Sequence, residues 1–179
     1  IMERTMVNVL SGTNITSSST GNGLAIGSNS KAATNAETGY TVNGTVNIAG
    51  TTNANVGTYV SYGQINNNAA GKIIVDKGVG AYGVNGSKII NSGLIQVSGK
   101  TSTTEGGIGI VGLSRKIDTT GAVDTADDFG TELEATPTTQ KVIEIENKGQ
   151  IKIYNGGTTP SSNAIGIYAD NNTGVDQSR

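Results

Sequence analysis

Two of the side chains that most often carry out chemistry in proteins are absent from this sequence of 179 residues. It contains no His and no Cys, which excludes a Ser-His-Asp triad, a His ligand to a metal, a disulfide and a thiol nucleophile. Glu144 and Glu146 lie close together beside Lys148. No matching acid occurs at that position in the other repeats, so we interpret them as surface ion pairs, which contribute little to stability. The sequence therefore predicts no catalytic residue.

A second group of reactive side chains is acidic and lies within residues 113–140. This stretch holds six acids against two bases, whereas the whole chain has 14 acids and 12 bases. Asp124 could begin a calcium-binding loop, but Ala126 and Phe129 stand where an EF-hand needs a ligand and a Gly. We therefore predict no metal and no cofactor, and a protruding loop that is either a contact element or a solvated excursion. Its candidate contact residues are Asp124, Asp127, Asp128 and Glu132.

Three tyrosines, Tyr59, Tyr82 and Tyr168, recur at one position of a repeated motif. Residue alternation along a strand predicts that they lie on an outer face. An exposed row of aromatic rings could stack on sugars or on a protein partner. The alternative is a structural stack that covers neighbouring strands.

Two motifs would position these side chains, and they alternate along the chain. The first is Gly-x-apolar-x-apolar, and the second is apolar-Gly-x-(aromatic or apolar). The first begins at Gly44, Gly71, Gly93 and Gly149, and the second has its glycine at Gly57, Gly80, Gly109 and Gly166. Successive copies of the first motif begin 27 and 22 residues apart, which is typical of solenoid coils. Gly, Ser, Thr and Asn make up nearly half of the chain, and helix signals are weak.

Short strands with one apolar face, joined by Gly and Asn turns, bury that face best by stacking on copies of themselves. We therefore predict an all-β chain: one right-handed parallel β-helix (a β-solenoid) of about five coils over residues 1–179, with residues 113–140 extruded as an acidic loop. A two-sheet β-sandwich is the alternative. The predicted inward ladders are Val46, Ile73, Ile95 and Ile151, then Ile48, Val75, Val97 and Ile153, and in the second motif Val56, Val79, Ile108 and Ile165.

The residues around the first motif allow two further predictions. Its Gly marks a turn that needs either a positive φ or room for a close approach of the chain. Asn residues precede this Gly, and in successive coils they could hydrogen-bond along the axis. Residues 5–9 are predicted to be a degenerate first copy of this motif.

Residues 79–97 (VGAYGVNGSKIINSGLIQV) and 143–153 (IEIENKGQIKI) resemble the passenger repeats of large monomeric type V autotransporter adhesins of the fusobacterial kind. The resemblance covers about residues 40–112 and 141–170. Residues 23–30 also resemble the head repeats of trimeric autotransporter adhesins, although the longer coils favour the monomeric class. The resemblance identifies a class of repeat, but no binding residue of that class can be assigned to a position in this sequence.

The resemblance implies a secreted, non-catalytic passenger at the bacterial outer membrane, anchored by a C-terminal β-barrel outside these residues. Its expected function is attachment to host cells or other bacteria through surface glycans or proteins. One alternative is a structural stalk that holds a distant binding tip, and another is a polysaccharide-cleaving β-helix enzyme. The formal net charge of -2 and the presence of only three Arg argue against a nucleic-acid partner. No apolar run approaches the length of about 20 residues that a transmembrane helix needs.

Overall fold

The described residues form fifteen β-strands. The structure is a computed structural model that describes residues 6–17, 22–27, 39–49, 55–61, 63–84, 87–98, 107–115, 143–154 and 164–172. Three strands make one coil, and the described residues form five coils.

Each coil contributes one strand to each of three sheets, which we call sheets A, B and C in chain order. Coil 1 comprises β1 (Met6–Val9), β2 (Asn14–Ser17) and β3 (Asn22–Gly27). Coil 2 comprises β4 (Gly39–Val42), β5 (Thr45–Ile48) and β6 (Asn55–Ser61). Coil 3 comprises β7 (Gln64–Asn67), β8 (Lys72–Asp76) and β9 (Gly78–Val84). Coil 4 comprises β10 (Lys88–Asn91), β11 (Leu94–Ser98) and β12 (Ile108–Arg115). Coil 5 comprises β13 (Glu144–Asn147), β14 (Gln150–Tyr154) and β15 (Ile165–Asn172).

Every described strand pairs with the equivalent strand of each neighbouring coil. Sheet A has the order β1-β4-β7-β10-β13, and sheets B and C follow the same progression with five strands each. All described pairings are parallel. The prediction of a parallel β-helix of about five coils is confirmed, and the β-sandwich alternative is wrong.

The core is built from ladders of identical positions in successive coils. Val46 pairs with Ile73, Ile73 with Ile95, and Ile95 with Ile151. The first three of these side chains have no solvent exposure. The predicted inward faces of the first motif, including the ladder of Ile48, Val75, Val97 and Ile153, are therefore confirmed. Stacked β-branched side chains suit this arrangement because they pack well on a pleated surface.

The two sequence motifs predict only two strands per coil, whereas the structure has a third strand, in sheet A. Its inward positions are occupied by Ile65 and Asn67 in coil 3 and by Ile89 and Asn91 in coil 4. An inward Asn interrupts the apolar alternation that marks a half-buried strand. The interpretation of residues 5–9 as a copy of the first motif is also wrong, because β1 pairs with β4 in sheet A, whereas the strands of the first motif form sheet B.

Sheet C contains a bend that overturns the prediction of an inward row at Val56, Val79, Ile108 and Ile165. A Cβ built at Gly57 would lie 2.5 Å from Ile73 Cγ2 in sheet B. Gly57 therefore takes the inward position, and its neighbour Val56 is left outside and only partly buried. The equivalent Gly80 would meet Ile95 Cγ2 in the same way.

The bend follows directly after this Gly. Ala81 and Ile110, the residues after Gly80 and Gly109, are fully buried members of the core. Two consecutive residues therefore face inward, which breaks strict alternation. The second-motif Gly allows sheets B and C to approach more closely than a side chain would permit.

The Gly of the first motif also serves a close approach. A Cβ at Gly44 would collide with the backbone oxygens of Leu10 and Thr13 in the coil before it. Among the described glycines, a positive φ occurs only at Gly12 and Gly39. Of the two predicted reasons for this Gly, the structure supports close stacking of the turns.

Asn side chains hydrogen-bond along the axis, as predicted. Asn67 Nδ2 donates to Asn91 Oδ1 over 2.7 Å, and Asn91 Nδ2 donates to Asn147 Oδ1 over 2.7 Å. Asn67 and Asn91 are buried. We call these three residues the Asn ladder. A separate exposed bond runs from Asn68 Nδ2 to Asn43 Oδ1 over 2.9 Å.

Tyr40 occupies an inward position of sheet A, between Val7 and Ile65 of the neighbouring strands. Its hydroxyl group is buried. Its side chain is 1% exposed, and the hydroxyl has no hydrogen-bond partner among the described residues. Burial raises the pKa of Tyr40 far above its usual range, and the neighbouring Tyr59 raises it further. This hydroxyl is therefore a cost to the folded state.

Tyr40→Phe is expected to raise the free energy of unfolding at pH 7 by about 1 kcal/mol, because it removes an unpaired buried hydroxyl. Tyr40 also binds its proton more tightly in the folded state, so the wild type should lose stability as pH rises above the unfolded Tyr pKa of about 10. The Tyr40→Phe variant should lose less stability than the wild type over the same rise in pH. Urea unfolding at pH 7 and about pH 10.5 measures both effects, and Tyr154→Phe, at a residue that is 49% exposed, is the control. A lower stability of Tyr40→Phe at both pH values would contradict this account.

The predicted insertion 113–140 begins too early. Leu113 is still paired with Val84 in sheet C, and β12 continues to Arg115. The next described strand, β13, begins at Glu144.

Candidate functional site

The outer faces of the three sheets differ in polarity. Sheet A presents Lys88, Glu144 and Glu146, and sheet B presents Lys72 and Lys152, among other polar side chains. Single apolar side chains interrupt both faces at Ile74, Ile90 and Leu94. These two faces are typical of solvated sheet surfaces.

Sheet C carries a continuous row of apolar side chains on its outer face. We call Val56, Val79, Ile108 and Ile165 the apolar row. The first three are partly buried, and Ile165 is 37% exposed. The row contains no charged residue and crosses four consecutive coils. Contiguous exposed apolar surface is a common mark of an interaction site.

The tyrosines lie beyond the bend of sheet C and pair across coils: Tyr59 with Tyr82, and Val111 with Tyr82 and Tyr168. Tyr59 and Tyr82 meet edge to face, with ring centroids 5.5 Å apart, a favourable geometry for aromatic pairs. Val111 interrupts the row. The prediction of an exposed ring is wrong for Tyr59, which is 1% exposed, whereas Tyr168 is 41% exposed.

Tyr59 therefore offers no ring surface to a ligand. Tyr82 is partly buried and Tyr168 is exposed, so their predicted contact with a partner stays a prediction. The predicted contact residues of the acidic loop, Asp124, Asp127, Asp128 and Glu132, lie outside the described residues.

The carboxylates of β13 form ion pairs, as predicted. Lys88 Nζ lies 2.6 Å from Glu144 Oε1, and Lys148 Nζ lies 2.6 Å from Glu146 Oε1. The hydrogen bond to Glu144 raises the pKa of Lys88, and the hydrogen bond from Lys148 lowers the pKa of Glu146. The raised pKa of Lys88 stabilises the folded state at low pH, and this contribution is lost as the pH rises through the folded-state pKa. The lowered pKa of Glu146 stabilises the folded state at higher pH, and this contribution is lost as the pH falls through its folded-state pKa. Both pairs are solvent-exposed, so their contribution is small.

The described residues contain no group of three or more His, Cys, Asp or Glu side chains that could hold a metal ion. Within the same part of the chain there is no helix with the length and apolar character needed to cross a membrane. The arrangement with the clearest chemical character is therefore the apolar row of sheet C, which suits contact with a partner surface.

Comparisons with known proteins do not extend this assignment. No protein-family model matches the chain, and neither the curated proteins nor the solved structures contain a match.

Proposed function

We propose that this chain is a non-catalytic segment of a bacterial adhesin passenger, displayed at the outer membrane surface, that attaches to glycans or proteins on host cells or other bacteria. The single observation that carries this proposal is the apolar row on the outer face of sheet C. A stack of parallel coils presents such a row as a long, flat and rigid surface. Ile108 lies within it, flanked by Val79 and Ile165.

The test is binding of the whole chain, immobilised on beads, to host cells, bacterial cells and a glycan panel. Ile108→Lys places a charge in the middle of the apolar row and is expected to reduce binding at least 10-fold, in line with the loss of a central contact. The matched control is Leu94→Lys, which adds the same charge to the outer face of sheet B in the same coil. Circular dichroism of both variants checks that the coils remain folded. Equal binding by wild type and Ile108→Lys would overturn the assignment of the surface.

A structural stalk is the second candidate, because the Asn ladder and the close Gly contacts stabilise a rigid rod whether or not it binds anything. Absence of binding to every cell type and glycan in the panel would favour the stalk. A polysaccharide-cleaving enzyme would instead release new reducing ends when the chain is incubated with polysaccharides, and we expect no such release.

A further inference from the structure

The apolar row offers a ligand no group that can form a hydrogen bond. Val56, Val79 and Ile108, its members in coils 2 to 4, have purely aliphatic side chains. Their strands β6, β9 and β12 each pair with a neighbouring strand on both sides, so their backbone groups bond within sheet C. Contact with the row is therefore made through apolar atoms alone.

A glycan is a poor match for such a surface. Sugar hydroxyls that are removed from water need hydrogen-bond partners, and an aromatic ring commonly adds a face on which a sugar can stack. The row has neither, because the tyrosines of sheet C lie beyond the bend and Tyr59 is buried. Hydrogen-bonding side chains instead face outward on sheet B, for example Asn47 and Gln96.

The row is also uncharged and stiff. Among the described residues within three positions of the row along the chain, only Asp76 and Lys77 are charged, and their charges are opposite. Val and Ile are β-branched, so their χ1 angles are already restricted and little conformational entropy is lost when a partner packs on them. Aliphatic side chains of a partner gain most from this surface, because contact removes apolar area of both molecules from water.

We infer that the partner of the apolar row is a protein surface with a stripe of aliphatic side chains, and not a glycan. This inference rests on the proposed function, because it names the class of ligand for the same surface. Neighbouring coils are about 4.8 Å apart, so the four positions of the row span about 14 Å and the stripe on the partner must be about as long.

Treatment of the target cells distinguishes the two classes of ligand. The whole chain on beads is incubated with untreated cells, with cells whose surface proteins have been removed by protease, and with cells whose sugars have been oxidised by mild periodate. Protease is expected to reduce binding at least about 10-fold, because it removes the stripe that packs on the row. Periodate is expected to leave binding unchanged. Binding that survives protease, or that is lost after periodate, would overturn the inference.

Val79→Thr tests the chemistry of the row itself, because it replaces one methyl group with a hydroxyl of about the same size. An aliphatic partner leaves that hydroxyl without a hydrogen bond, so binding is expected to fall at least about 5-fold. The control is Ile74→Thr, on the outer face of sheet B in the same coil, which should bind like the wild type. Circular dichroism checks that both variants are folded. Equal or tighter binding by Val79→Thr, the result expected for a glycan, would contradict the inference.

Two outcomes separate the failure of this inference from the failure of the proposed function. Absence of binding to every untreated cell type would overturn the proposed function and this inference with it. Loss of binding after periodate would leave the attachment function standing and overturn only the class of partner. Because the row is uncharged, binding should change less than about 2-fold between about 0.05 and 0.5 M NaCl. A fall of more than about 10-fold over that range would indicate a charged contact and would also overturn the aliphatic partner.

Discussion

Gly80→Ala is expected to lower the free energy of unfolding by about 3 kcal/mol, the upper part of the range for overpacked cores. The added Cβ would lie 2.6 Å from the backbone oxygen of Gly109 and would also collide with Ile95 Cγ2. A side chain can rotate away, but the carbonyl of Gly109 belongs to the paired strand of coil 4. The coil must therefore shift as a unit, which disturbs the contacts above and below it. Urea unfolding followed by circular dichroism measures the loss.

The chain offers a matched control for this substitution. Gly166 occupies the same motif position in coil 5, and a Cβ built there meets nothing within 4 Å. Gly166→Ala is therefore expected to leave stability unchanged or to raise it by up to about 1 kcal/mol, because Ala loses less backbone entropy than Gly in a strand. Similar losses for the two variants would contradict the close approach of sheets B and C at the bend.

Asn91→Leu is expected to cost about 3 kcal/mol of unfolding free energy. Asn91 is the central member of the Asn ladder, where it accepts a bond from Asn67 and donates one to Asn147. Leucine can make neither bond, so the buried Asn67 loses this acceptor, at about 1–3 kcal/mol for an unsatisfied buried group, whereas the exposed Asn147 can bond to water instead. The same unfolding experiment measures this loss.

Asn68→Ala is the control for the ladder. Asn68 follows Asn67 directly in the chain, but it is exposed and bonds to Asn43 outside the core. Its replacement is expected to cost no more than about 0.5 kcal/mol. If Asn68→Ala lowers the free energy of unfolding as much as Asn91→Leu does, burial of the Asn ladder is not the reason for the loss of stability in Asn91→Leu.

The strands of sheet B could be predicted from the sequence because they obey one simple rule. In Gly93-Leu94-Ile95-Gln96-Val97 the apolar residues Ile95 and Val97 alternate with residues that face outward, and a Gly marks the turn before them. Both signals are local, and both repeat in phase from coil to coil. Alternation of this kind assigns a face without knowledge of the neighbours.

Sheets A and C could be predicted only in part, because contacts with residues distant in the sequence decide which of their side chains face inward. The inward position of Asn91 is tolerated only because Asn67 and Asn147 bond to it. The inward position of Gly80 reflects the Ile95 methyl group of the facing sheet. Neither partner is visible from the local pattern, so alternation predicts an inward Val79 and gives no signal for the strand that contains Asn91.

The candidate site changed for the same reason. Tyrosines at one motif position suggested an exposed aromatic row, but Tyr59 is buried and Val111 interrupts the series. Val79 and Ile108 lie outside instead, although their apolar side chains predict core positions. A bend in sheet C reverses these roles, and a bend of this kind depends on the packing of sheet B against it.

The register of sheet C underlies the fold, the bend and the proposed contact surface, and engineered cysteines test it most directly. The chain has no natural Cys, so a double variant contains only the intended pair. Val79 and Ile108 are paired neighbours on the outer face, and Cys residues on adjacent paired strands can be within reach of a disulfide. Val79→Cys with Ile108→Cys is expected to form an intramolecular disulfide on mild oxidation, measured by mass spectrometry. Val79→Cys with Ile110→Cys should not, because Ile110 faces the core; a disulfide in this second pair but not in the first would contradict the register.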